Sequence, residues 1–125
     1  MSKAQFLAEN LKTSEIYSGL ILGKDGEPDY HLVLLPAIPE KKLNWSDALA
    51  WAKSVGGDLP TRSEQALLFA NSKEHFEGAW YWSNTQHAGN SDYAWVQNFD
   101  NGYQNDDHKS YEYRARAVRR LLIIE

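Results

Sequence analysis

Residues 79–120 read AWYWSNTQHAGNSDYAWVQNFDNGYQNDDHKSYEYRARAVRR. Three runs in this stretch are rich in aromatic and β-branched residues, the composition of half-buried strands: Trp80–Trp82, Tyr93–Phe99 and Tyr111–Leu122. Asn101-Gly102 between them is a type I′ hairpin pair, so Ala94–Phe99 is expected to fold back on the residues after the turn. From Tyr81 to Tyr113 about half of the residues are Tyr, Asn, Asp or Ser, with Trp82 and Trp95 among them. Tyr and Trp provide large contact areas at low entropic cost, and Ser, Asn and Asp provide adaptable hydrogen bonds. The mixture is that of a recognition surface rather than a catalytic pocket.

Working toward the N-terminus, the periodicity becomes helical. Ala48, Trp51, Ala52 and Val55 recur at i, i+3, i+4 and i+7, with Asn44 as N-cap and Gly56-Gly57 as stop. Thr61-Arg62-Ser63-Glu64 is a capping box that opens a second helix, with Ala66, Leu67, Phe69 and Ala70 expected on its apolar side. Ile16–Leu22 and Tyr30–Leu35 form a predicted hairpin across Lys24–Asp29, and residues 4–12 suit a short helix. Two helices between an N-terminal hairpin and C-terminal strands give an α+β domain. The expected organisation is a short N-terminal segment at 1–14 and one domain at 15–125.

Bulk composition narrows the function classes. A chain of 125 residues can bury one core, and a net charge of −4 gives no general pull toward nucleic acid or anionic membrane. No apolar run is long enough to span a bilayer, so membrane insertion is not expected. Without cysteine there is no disulfide, thiolate metal site or Cys nucleophile, which suits a protein made in the cytoplasm and also suits virion proteins. His31, His75, His87 and His108 show neither HxH nor HxxxH spacing, so no catalytic residue, metal site or cofactor is assigned. Asp100, Asn101, Asn105, Asp106 and Asp107 carry hard oxygens, but their spacing is not that of an EF-hand loop and reads as a solvated loop. Arg114, Arg116 and Arg120 would share one face of a strand over 111–120; pairing with the chain's own carboxylates or rings explains them better than nucleic acid does.

Three motifs arrive in a recognisable order: Gly57-Asp58-Leu59-Pro60-Thr61-Arg62-Ser63-Glu64, then Trp80-Tyr81-Trp82-Ser83, then Tyr113–Arg120. Over roughly residues 15–122 the chain resembles a bacterial and phage family of unknown function that includes the C-terminal domain of bacterial collagen-like adhesins. That family looks like a branch of the C-type lectin-like fold, which also contains formylglycine-generating enzymes and the variable proteins of diversity-generating retroelements. The enzymes of that fold use cysteine, so their activity does not carry over, and the EPN, QPD and WND signatures of calcium-dependent lectins are missing. The resemblance implies that Trp80, Trp82 and Val118 are core. It also implies that the last strand pairs with the N-terminal one, bringing the termini together. Asn84 stands where the family's strand has a second serine.

The expected ligand face is therefore residues 84–113, with His87, Asn90, Asp92, Tyr93, Trp95, Asn98, Asp100, Tyr103, Asn105, Asp107 and His108 as its members. Tyr93, Trp95 and Tyr103 would be the anchors, although strand alternation also allows Trp95 to be buried. Asn, Asp, Tyr and Ser are products expected of diversified adenine-rich codons, and the stretch lies where variable proteins carry them. The expected function is a non-enzymatic module of phage or prophage origin that binds a protein or glycan, associated with a tail or with host adhesion. The alternative is an intracellular phage protein acting on a host or phage protein as inhibitor, chaperone or assembly factor. From Met1 onward no shaft or trimerisation segment is legible, so docking on another protein or self-association is expected.

Overall fold

A computed structural model describes residues 2–123. In chain order the elements are α1 (Lys3–Asn10), β1 (Ile16–Ile21), β2 (Tyr30–Leu34), α2 (Trp45–Ser54), α3 (Arg62–Ser72), a 3-10 turn (Lys73–His75), β3 (Trp80–Gln86), β4 (Tyr93–Asn98), β5 (Gln104–His108) and β6 (Val118–Leu122). Two antiparallel three-stranded sheets result, ordered β1-β2-β6 and β3-β4-β5, so the α+β class holds.

Local sequence explains the helices. Asn44 accepts the Asp47 amide at 2.9 Å, and Gly56, at φ +85°, lets the chain leave α2 in a left-handed turn. Thr61 and Glu64 exchange both capping-box bonds, at 3.2 and 2.8 Å, to start α3. The buried face of α3 follows only half of the apolar one that the pattern marks: Leu67 and Phe69 pack against the core. Ala66 and Ala70 are exposed, while Glu64, Gln65, Leu68 and Ser72 point inward. The reason is tertiary: each buried polar side chain finds a partner on another element, although Gln65 Oε1 is left without one. Ser72 Oγ lies 2.9 Å from Ser18 Oγ, Gln65 Nε2 donates to Tyr81 O, and Glu64 meets Tyr30 and Arg120.

The three motifs converge. Gly57 passes so close to β6 that a Cβ there would lie 2.6 Å from Val118 O. Asp58 and Val118 exchange both backbone bonds, at 2.9 and 2.8 Å. Pro60 O accepts Asn84 N, and Trp82 N donates to Arg114 O. Trp82 is fully buried, as is Val118, whereas Trp80 is only partly covered at the core margin.

Four expectations about the C-terminal half change. The strand predicted from Tyr111 begins only at Val118; residues 111–117 contribute isolated bridges at Tyr113 and Arg114. Arg114, Arg116 and Arg120 therefore do not share one strand face. The last strand pairs with β2, and β1 lies on the other side of β2. The N- and C-terminal segments still meet, because Arg119 donates to Glu15 at 2.7 and 2.9 Å and to Asn10 O at 2.7 Å. Finally, Asn101-Gly102 is not a two-residue I′ turn. Only Gly102 has positive φ (+80°), and the loop runs from Phe99 to Tyr103, closed by Gly102 N to Asn98 O and Asn98 N to Tyr103 O.

Candidate functional site: the outer face of the second sheet

Register decides which polar side chains of residues 84–113 meet. Tyr93 lies opposite His108, Trp95 opposite Asp106, and Gln97 opposite Gln104. Directly opposed residues share a face, so these pairs form one side of the sheet, buried at Gln97 beneath α3 and half-exposed at Tyr93 and Trp95. The intervening pairs, Ala94 with Asp107 and Val96 with Asn105, lie on the other side, where Ala94 and Val96 join the core around Trp82.

Trp95 is half-buried at the centre of the outer face. The Arg62 guanidinium sits 3.5 Å from its ring centroid, a cation–π contact. The His87 ring stacks on it at 5.5 Å with 20° between planes, and His87 Nε2 lies 3.7 Å from Asp106 Oδ2. Tyr93 and His108 meet edge to face at 5.5 Å. Arg62, Gln97, Gly102, Tyr103 and Gln104 line an open trough of about 770 Å³ beside them, with Tyr103 65% exposed.

A ladder of amides holds Arg62 over the ring. Arg62 Nε donates to Gln104 Oε1 at 2.9 Å, and Gln104 Nε2 returns a bond to Arg62 O at 2.9 Å and donates to Gln97 Oε1 at 2.9 Å. Gln97 is buried and donates to Gln65 O at 2.7 Å. The planar guanidinium is thus fixed by side chains that start on α3 and end on β5. Pre-ordering of this kind lowers the entropic cost of binding.

The members named from sequence separate into groups. His87, Tyr93, Trp95, Tyr103 and His108 belong to the outer face or its rim. Asn90 and Asn98 spend their side-chain oxygens on the amides of Asp92 and Asp100, bracing turns, as Asn101, outside the named set, does for Tyr103. Asp92 and Asp100 are exposed at those turns. Asn105 and Asp107 point to the opposite side of β5 from Trp95, and Asp107 accepts the Tyr113 hydroxyl. Burial, with the Asp107 carboxylate beside it, pushes the Tyr113 hydroxyl above its usual pKa. Sequence reasoning missed Arg62, Gln104 and Asp106 as members of the face. The only available signal was the i+2 spacing of Gln104, Asp106 and His108, which becomes informative once the register with β4 is known. Among the described residues, no three His, Asp or Glu side chains converge as a metal site would require.

The model of the Lcl C-terminal domain family matches residues 13–119. This chain belongs to that family. Membership agrees with an adhesin-like C-terminal domain. No curated protein matches the chain. No helix among the described residues is long and apolar enough to cross a membrane. Within the Lcl C-terminal domain match, the two motifs around Gly57–Glu64 and Tyr113–Arg119 are the segments that meet at β6, which accounts for them as scaffold.

Proposed function

We propose that this Lcl C-terminal domain is a non-enzymatic recognition module that binds a protein or glycan through the outer face of β3-β4-β5. The observation that carries the reading is the pre-ordered Trp95–Arg62 pair, flanked by His87, Asp106 and the exposed Tyr103. Trp, Arg and Tyr are the residues that most often dominate binding energy at interfaces. Neither side chain of the pair is needed to fill the buried core clusters. A C-type lectin-like relationship belongs to the same proposal and is supported by the order of elements, with two helices between an N-terminal hairpin and C-terminal strands. So do phage origin, synthesis in the cytoplasm and carriage on a virion, which rest on composition and resemblance alone.

The test compares wild type with Trp95→Ala and Tyr103→Ala in two assays, binding to intact bacterial cells and capture of partners from lysate. Retention on cells that falls at least tenfold in both variants, with unfolding midpoints still near wild type, supports the adhesive reading. A lysate partner lost in the same variants, with no cell binding, moves the function to an intracellular protein contact. Unchanged binding in both variants refutes this face as the site.

A further inference from the structure

Arg116 is a cation that the fold buries without neutralising. It is 6% exposed, its Nη1 donates to His75 O, and its Nη2 donates to Leu35 O at 2.9 Å. Its Nε is buried without a hydrogen-bond partner, and among the described residues no carboxylate lies within ion-pair distance of it. Its neighbours in sequence differ: Arg119 is paired with Glu15, and Arg120 with Asp58 and Glu64. A buried charge without a counter-ion is costly, so such a charge points to a counter-ion from outside the chain. Burial also lowers the affinity of the Arg116 guanidinium for its proton, the direction expected of an uncompensated cation.

Arg116 lines a cleft of about 420 Å³ between the 38–42 loop, the 3-10 turn and residues 114–116. The cleft shares no lining residue with the outer-face trough. Lys41, Lys42 and Arg114 also line it, none within ion-pair distance of a carboxylate among the described residues. Four cations thus face three carboxylates, Glu40, Glu74 and Glu77, in a protein whose overall charge is −4. A small positive balance suits one negative charge, whereas a dianion would meet those three glutamates. The remaining walls are apolar and aromatic: Ile38 is 71% exposed, and the Phe76 ring centroid lies 5.2 Å from Arg116 Cζ.

We propose that this cleft binds a monocarboxylate carried on an apolar or aromatic body, with the carboxylate toward Arg116 and Arg114 and the body against Ile38 and Phe76. Arg114 offers a guanidinium fork that matches a carboxylate, while Arg116, with Nη1 and Nη2 already donating to carbonyl oxygens, supplies charge. The ligand completes a charge balance that the chain leaves open.

The experiment titrates the full chain with N-acetyl-phenylalanine, its uncharged amide, and inorganic phosphate, following backbone amide resonances by NMR. The expected result is saturable shifts centred on Phe76, Ala115 and Arg116 with the carboxylate, and binding at least tenfold weaker with the amide and with phosphate. Arg114→Ala and Ile38→Ala should each weaken the carboxylate at least threefold, and they keep the test decisive if Arg116→Gln does not fold. Equal binding of acid and amide would reduce the cleft to an apolar groove and overturn the proposal. Tighter binding of phosphate, shifts located elsewhere, or no saturable shift would overturn it too.

Discussion

Replacing Glu64 with glutamine changes one atom's chemistry at the point where the first and third motif segments meet. The Glu64 carboxylate is fully buried, and each of its oxygens accepts two donors. Oε2 takes Tyr30 Oη at 2.5 Å and Arg120 Nε at 2.6 Å; Oε1 takes Thr61 N and Arg120 Nη2, both at 2.8 Å. In E64Q one oxygen becomes an NH2 group, and either amide orientation sets a donor against an Arg120 N–H. Arg120 keeps only Asp58, at 3.1 Å, as a charged partner, beside Leu59 O at 3.4 Å. Breaking a buried ion pair from one side costs about 3–5 kcal/mol. At roughly 4 °C per kcal/mol for a domain of this size, the melting temperature should fall by about 12–20 °C.

The same site has a pH signature. Burial alone would raise the Glu64 pKa, but hydrogen bonds from Arg120, Tyr30 and Thr61 outweigh it and hold the carboxyl below its ordinary value of 4.5. A folded-state pKa lowered in this way adds stability that is present above the unfolded pKa and lost as pH falls through the folded one. The stability gap between wild type and E64Q should therefore be widest near neutral pH and close as pH falls below 4.5. Urea unfolding at a series of pH values measures it, with Lys53→Ala as a control. That residue is 70% exposed in its pair with Asp58 and should cost less than about 1 kcal/mol. A loss below about 1 kcal/mol for E64Q at neutral pH, or a gap that widens in acid, would refute the reasoning.

Gly57→Ala should destabilise by about 1–3 kcal/mol or more, because its Cβ would press on Val118 O at 2.6 Å and Leu35 Cδ1 at 2.7 Å; chemical denaturation checks it. Gln104→Ala removes the brace on Arg62 while costing only about 1–2 kcal/mol of stability, so a binding defect well beyond the stability defect is expected in the cell and lysate assays. Burial, together with the Glu64 carboxylate, pushes the Tyr30 hydroxyl up to about 12. Stability from this group is complete below its ordinary value of 10.0 and lost as pH rises toward about 12. Absorbance titration should show a tyrosine ionising near there, and Tyr30→Phe should remove that step.

Much of the secondary structure was legible because its determinants are local. Asn44 and the Thr61–Glu64 box cap their helices through bonds to residues three positions away, and Gly56 ends α2 by its own backbone freedom. The hairpin of β1 and β2 and the cores of β3 and β4 arise from residue type and alternation, and the family from the order of motifs. The stretch from residue 79 to 120 also marked the second sheet correctly as the place where aromatic and polar residues concentrate.

The features that sequence could not decide depend on partners distant in the chain. α3 buries Glu64, Gln65 and Ser72 and exposes Ala66 and Ala70, because Arg120, Tyr81 and Ser18 on other elements each bond one of the buried polar side chains. Hydrophobic periodicity carries no information about such pairing. The register of β4 with β5 placed Asp106 and Gln104 beside Trp95 and turned Asn105 and Asp107 away; a shift of one residue would have reversed the assignment. Residue 62 joined the ring of residue 95 only through packing of α3 against the sheet. Composition thus located the candidate surface, and tertiary structure chose its members, because a binding face is made of residues that share a side, not a segment.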